Sequence, residues 1–199
     1  MNFESQSQAG QDLFVHALLP SATGTFLDIG CSAPKEISNT WALEQLGWTG
    51  ILLDGNINSA EACRAERRNP VVCADATICS WGALFRKHQP SWPTPPVFDY
   101  VSLDVDEPTH AALLNLLRSG ACFNVITIEH DRYHRGERLR GPNRAALFNA
   151  GYELIAADVH NQGCSFEDWW VAPSLLPTAH RFKSSSLEWQ DVLKQGGAL

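Results

Sequence analysis

The sequence predicts an α/β fold, a three-layer sandwich of helices around a mostly parallel sheet, and three observations predict it. Short apolar runs rich in Val, Ile and Leu recur along the chain, several ending on or next to an acidic residue. Such runs suit strands buried on both faces of a parallel sheet. Helix-length segments separate the first five runs, the alternation expected of βα units. The last two runs are joined by residues 160–165 alone. A parallel crossover needs about a dozen residues, so the final strand should run antiparallel to its neighbour.

Taken in order, residues 11–19 (QDLFVHALL) read as an amphipathic helix beside the first strand, residues 24–30 (GTFLDIG). Further strands are expected at 50–55 (GILLDG), 71–75 (VVCAD), 99–106 (DYVSLDVD) and 124–129 (NVITIE), with helices over 38–46, 59–67, 79–87, 109–118 and 143–150. Thr109 is a good N-cap and Gly120 a fitting stop. Residues 152–159 (YELIAADV) and 166–171 (FEDWWV) close a seven-stranded sheet as a hairpin. Residues 173–186 read as surface linker, and Ser185 with Glu188 as a capping box for a short final helix. One domain should span residues 1–199, with a core over about 20–173 and a tail over about 174–199. Five βα units closed by a hairpin is an unusual ending for a dinucleotide-binding Rossmann domain. It is the expected ending of a Rossmann-like class I methyltransferase sheet.

Lys+Arg 15 against Asp+Glu 22 gives a net charge of −7, which argues against nucleic-acid and anionic-membrane partners. No apolar run approaches the roughly 18 residues needed to span a bilayer, and the N-terminus lacks the pattern of a signal peptide. The six cysteines form no CxxC pair or zinc-like spacing. Reduced thiols and a cytoplasmic location are therefore expected. Oligomeric state stays open, a homo-oligomer included.

In an open parallel sheet, ligands bind beyond the carboxyl ends of the strands, near the point where strand order reverses. The first turn there is Asp28-Ile29-Gly30-Cys31-Ser32, where Gly30 lets backbone approach a ligand closely. Neither GxGxxG nor a P-loop is present. Asp54 ends the second strand, where a carboxylate can accept both hydroxyls of a ribose. Asp75 ends the third and could accept the amino group of adenine. Together they suit an adenosine lying across the strand ends.

SQAGQD at 7–12, FLDIGCSAP at 26–34, SNTWALEQLGWTGILLDGN at 38–56 and FDYVSLDVDEPTHAALLNLL at 98–117 resemble FkbM-type S-adenosylmethionine-dependent methyltransferases. VITIEHD at 125–131 and FEDWWVAP at 166–173 extend the resemblance over almost the whole domain. It implies a cofactor, S-adenosylmethionine, whose methionine part meets Asp28, Gly30 and Ser32. It further implies that Asp54 and Asn56 hold the ribose, that Asp75 and Ala76 hold the adenine, and that Gln8, Gln11, Ser38 and Asn39 reach the amino-acid end. Relatives often carry Glu where this chain has Asp54, and D-x-E-G-x-E where it has Asp104-Val105-Asp106-Glu107-Pro108-Thr109. The reaction implied is O-methylation of a hydroxyl on a sugar or small secondary metabolite. N-methylation of a small amine and a non-catalytic cofactor-binding homologue remain as alternatives.

On the acceptor side, methyl transfer to a hydroxyl needs in-line positioning and removal of a proton. His130 is the leading candidate base, since histidine titrates near neutrality, with Glu129 or Asp104 orienting it or the acceptor. These carboxylates with His130 would also suit Mg²⁺, a reading ranked below a metal-free site. Residues 131–144 (DRYHRGERLRGPNR) carry five arginines. They read either as a lid that grips an anionic acceptor through Arg forks or as a solvated loop. Asp106, Arg132, His134 and Arg135 are accordingly acceptor-binding candidates. Trp169 joins them, because Trp169 and Trp170 alternate across a strand and one of the pair should face solvent or a cleft.

Overall fold

The computed structural model describes residues 3–21, 23–89, 91–185 and 187–199; Ser186, the end of the expected linker, lies outside them. Helix α1 (Gln11–Leu18) leads into β1 (Thr25–Ile29), α2 (Trp41–Leu46), β2 (Thr49–Asp54), α3 (Ile57–Glu66), β3 (Val71–Cys73) and α4 (Trp81–His88). There follow β4 (Val97–Leu103), α5 (Thr109–Arg118), β5 (Cys122–Glu129), the single turn α6 (Arg132–Arg135) and α7 (Glu137–Asn149). β6 (Glu153–Asn161), β7 (Cys164–Val171), α8 (Leu176–Ala179), β8 (Ser184–Ser185) and α9 (Trp189–Gln195) complete the chain.

The strands form one sheet in the order β3-β2-β1-β4-β5-β7-β6-β8. The pairs among β1 to β5 are parallel, and β7 runs antiparallel between β5 and β6. Gln162 and Gly163 alone turn the β6–β7 hairpin, both with positive φ (54° and 79°), the twist that two-residue hairpin loops favour. Among the described residues the sheet has eight strands where seven are expected, because the two residues of β8 add to the edge of β6.

Each face of the sheet carries its own core. On one face Phe26, Leu52, Trp169 and Val171 pack under α1 and α9; on the other Leu27, Leu53, Ile126 and Trp170 pack under α4, α5 and α7. Phe14 of α1 stacks on Trp169 at 4.6 Å and meets Phe182 edge-on at 5.1 Å. Both tryptophans are therefore buried, which corrects the expectation that one faces a cleft; Trp169 is core, with its indole N–H donating to Glu167 Oε1 at 2.5 Å.

Three local expectations change for physical reasons. The region 173–185 is helical turns and a strand rather than linker, because Ala179 and Phe182 are buried. Glu188 does not form a capping box; its carboxylate accepts the backbone N–H groups of Gln162 and Gly163 and holds the hairpin turn. Thr109 sits inside α5 rather than at its cap, and its hydroxyl accepts the N–H of Val105 at 3.3 Å.

Candidate functional site

The strand order reverses between β1 and β4, and a cleft of about 690 Å³ opens there beyond the carboxyl ends of β1 to β5. That volume suits a small organic ligand. Gly30, Ser32, Asp54, Asp75, Ala76, Asp104, Asp106 and Glu129 all line it. The fold builds this edge from backbone: Gly30 N–H donates to Leu53 O at 2.8 Å and Asp104 N–H to Ile29 O at 2.9 Å. Gly30 has φ 92°, and a Cβ there would stand 1.6 Å from the Asp104 carbonyl oxygen. Only glycine lets these two strand ends approach so closely.

Asp54 accepts the N–H of Ser32 at 2.9 Å through one oxygen and that of Asn56 at 2.7 Å through the other, which fixes its carboxylate at the cleft wall. Asp75 accepts both the N–H and the hydroxyl of Thr77, which hold its pKa below the usual carboxylate value. Asn56 is positioned differently from the sequence expectation. Its side chain caps α3 by accepting the N–H of Asn58, and it is not among the cleft-lining residues.

A small polar cavity of about 30 Å³ adjoins the cleft at Gly30 and is lined by Gln8, Asp28, Ser32, Ser38, Asn39, Ser102 and Asp104. Asn39 donates to Ser102 Oγ at 2.9 Å, while its Oδ1 is buried without a hydrogen-bond partner. Asp28 is buried, and desolvation raises its pKa to about 6. It accepts the Thr40 hydroxyl at 2.5 Å, and Thr40 Oγ1 in turn accepts from Arg67 Nη2. Arg67 also reaches Glu44, Ser38 and the Pro34 carbonyl, so one buried guanidinium ties the loop after β1 to α2. Gln11 is turned away from the cleft. It is buried in α1, accepts the N–H of Ala9 and contacts Glu167.

At the other end, Glu129 lines both the cleft and a second chamber of about 320 Å³. The carboxyl groups of Asp104 and Glu129 are in hydrogen-bond contact; burial raises both pKa values, and the two charges oppose one another. Two carboxyl groups so placed resist ionising together. Around the chamber stand Gln8, Asp131, Tyr133, Asn161, Gln162, Cys164 and Phe166. Asp131 follows Glu129 by two residues but bends back through a left-handed turn (φ 48°). Its N–H and that of His130 both donate to the Phe166 carbonyl.

His130 is a correction. Its ring is buried on the far side of β5, and it lines neither the cleft nor the chamber. Its Nδ1 accepts the N–H of Arg132, and its Nε2 stands 3.4 Å from Asp168 Oδ1 and 3.8 Å from Asp158 Oδ1 without an aligned hydrogen bond. Adjacent residues at a strand end point to opposite faces, so Glu129 facing the cleft sends His130 away from it.

The arginine segment is a correction too. It folds as α6 and α7, and its guanidinium groups meet carboxylates of this chain. Arg132 pairs with Glu137, Arg138 with Glu107, Arg140 with Glu137 and Asp158, and Arg144 with Asp158 and Asp168. Arg135 bridges Asp131 at 3.3 Å and Asp106 at 3.4 Å. His134 is exposed on α6 and lines neither cavity.

Among the described residues two groups bring metal-ligand atoms within 4.8 Å of one another: Asp106 with Glu129 and Asp131, and His130 with Asp158 and Asp168. In both, guanidinium groups already lie on two of the carboxylates, which opposes a further cation there. Among the described residues no helix is long and apolar enough to cross a membrane.

No protein-family model matches the sequence, and a comparison with curated proteins finds no match. Solved structures do resemble it. A TehB-like SAM-dependent methyltransferase from Corynebacterium glutamicum aligns with TM-score 0.55 and 17% identity over 82% of this chain and 87% of that one. An O-methyltransferase from Bacillus cereus in complex with SAH aligns with TM-score 0.55 and 17% identity over 86% and 84%. A putative rRNA-methylase from Clostridium thermocellum aligns with TM-score 0.56 and 13% identity over 84% and 97%. The chain therefore has a methyltransferase-like α/β fold, mostly parallel with one antiparallel strand.

Proposed function

We propose that this chain is an S-adenosylmethionine-dependent methyltransferase of the FkbM type that methylates a hydroxyl of a small acceptor, a sugar or secondary metabolite. One observation carries the reading: a nucleoside-sized cleft with acidic strand ends, Asp104 among them, meets a second chamber at Glu129. The residues present fit the cofactor. Asp54 offers a carboxylate to the ribose hydroxyls and Asp75 one to the adenine amino group, while the orphaned Asn39 Oδ1 would accept the amino group of the methionine end. When bound, S-adenosylmethionine supplies a methyl group on a cationic sulfonium.

The chain's own groups manage the proton. Burial and mutual repulsion raise the pKa values of Asp104 and Glu129, so an ionised carboxylate of this pair, at the junction of cleft and chamber, takes a proton more readily than an ordinary one. That carboxylate is placed to accept the proton of an acceptor hydroxyl; the bound cofactor would supply the methyl group, its carbon–sulfur bond breaking as the oxygen–carbon bond forms and its sulfur leaving as a neutral thioether. Arg135 lies on Asp131 and Asp106 and its charge opposes a metal ion beside them, so turnover should be unchanged by EDTA.

The test is calorimetry with S-adenosylhomocysteine on the wild type and Asp54→Ala, followed by turnover of Glu129→Gln. Binding should weaken at least tenfold in Asp54→Ala. Glu129→Gln should lose about 10²–10⁴ in kcat, the range of a general base, and keep its cofactor affinity. Equal S-adenosylhomocysteine affinity in wild type and Asp54→Ala would overturn the cofactor placement.

A further inference from the structure

The chamber beside Glu129 carries chemistry of its own. Its walls offer two carboxylates, Glu129 and Asp131, two aromatic rings, Tyr133 and Phe166, and no cationic side chain among the described residues. Asp104 and Asp106 stand just beyond, on the cleft side of Glu129. The nearest guanidinium, Arg135, is shared between Asp131 and Asp106, and the segment's other arginines are paired elsewhere. Four carboxyl groups thus face one guanidinium, and the balance stays negative when Asp104 or Glu129 is protonated.

An anionic acceptor entering here would meet a surplus of like charge. A cation would meet the opposite: carboxylates to accept its N–H bonds and ring faces that attract positive charge. We propose that the chamber takes an acceptor bearing an ammonium group, held by Asp131 between Tyr133 and Phe166, with Glu129 left to the acceptor's hydroxyl. This rests on the chamber being the acceptor half of the site proposed above, and it reverses the expectation of an anionic acceptor gripped by arginines. The ammonium group serves recognition; the hydroxyl of the same molecule is the one placed for methylation.

Cys164 lines the chamber as a half-buried free thiol and reports its occupancy without turnover. Alkylation of the full chain by iodoacetamide, read at Cys164 by peptide mass spectrometry, should be followed with tyramine, tyrosol and 4-hydroxyphenylacetate present in turn. These share a ring and a phenol and differ in an ammonium, hydroxyl or carboxylate tail. Tyramine should protect Cys164 at concentrations at least tenfold lower than the other two, with alkylation of the exposed Cys122 unchanged. Asp131→Asn should remove most of that preference, and Asp106→Asn, at an exposed position, should reduce it if the first variant does not fold. Protection by 4-hydroxyphenylacetate equal to that by tyramine, or by none of the three, overturns the proposal. S-adenosylhomocysteine titrated into the same sample separates the two ideas. Failure to bind it, with tyramine still protecting, removes the cofactor reading and leaves the cation preference standing.

Discussion

His130 shows how one residue's direction sets its role. Buried against Asp158 and Asp168, it braces the strand end that presents Glu129 rather than meeting an acceptor. His130→Ala should therefore lower the melting temperature while leaving the pH dependence of turnover in place; a lost alkaline or acid limb in its pH profile would return it to the chemistry. Glu167 makes a different prediction. Burial pushes its pKa up to about 8, against the bonds from Trp169 and Gln11 that pull it down. The folded state then binds a proton that the unfolded state has released, so stability falls as pH rises from the ordinary carboxylate range to about 8. The slope attains at most about 1.4 kcal/mol per pH unit for one group. Thermal melts of Glu167→Gln between pH 5 and 8 should decline less than those of the wild type.

At the scale of elements, α7 is fastened to the β6–β7 hairpin by charge. Arg144 forks onto Asp168 with bonds of 2.7 and 2.6 Å, and Arg140 onto Asp158 with 2.6 and 2.7 Å. Asp168 further accepts the backbone N–H of Asp158 at 2.8 Å, so helix and both strands meet at one carboxylate. Removing one member of a buried pair leaves the other charge uncompensated, at a cost of about 3–5 kcal/mol. Urea melts of Arg144→Met should show a loss of that order. Adding Asp168→Asn to it should recover part of the loss, because the stranded charge is gone.

For the whole molecule, the sheet brings strand ends far apart in sequence to one edge, and ligand binding there should register as global stability. A ligand at a hundred times its dissociation constant adds about 2.7 kcal/mol. In a domain of this size each kcal/mol is worth about 2–4 °C. Saturating S-adenosylhomocysteine should accordingly raise the melting temperature by about 5–10 °C, with little effect on Asp54→Ala. A shift of the same size in Asp54→Ala would place the ligand elsewhere.

The sequence by itself determined the alternation of strands and helices, the antiparallel strand of the closing hairpin and the acidic strand ends Asp54, Asp75, Asp104 and Glu129. Those follow from local apolar runs, link lengths and residue types, all written in linear order. Side-chain direction was not legible, because it depends on which face of a doubly covered sheet each position meets. Tertiary structure alone buried Trp169, turned His130 and Gln11 away and spent Asn56 on a helix cap. It also brought Asp131 and the 161–164 turn around Glu129, although Asp131 sits two residues on in the EHD run and was readable as a neighbour. The arginines read as free cations because their carboxylate partners lie up to 31 positions away along the chain, as Glu107 does from Arg138, and only folding pairs them.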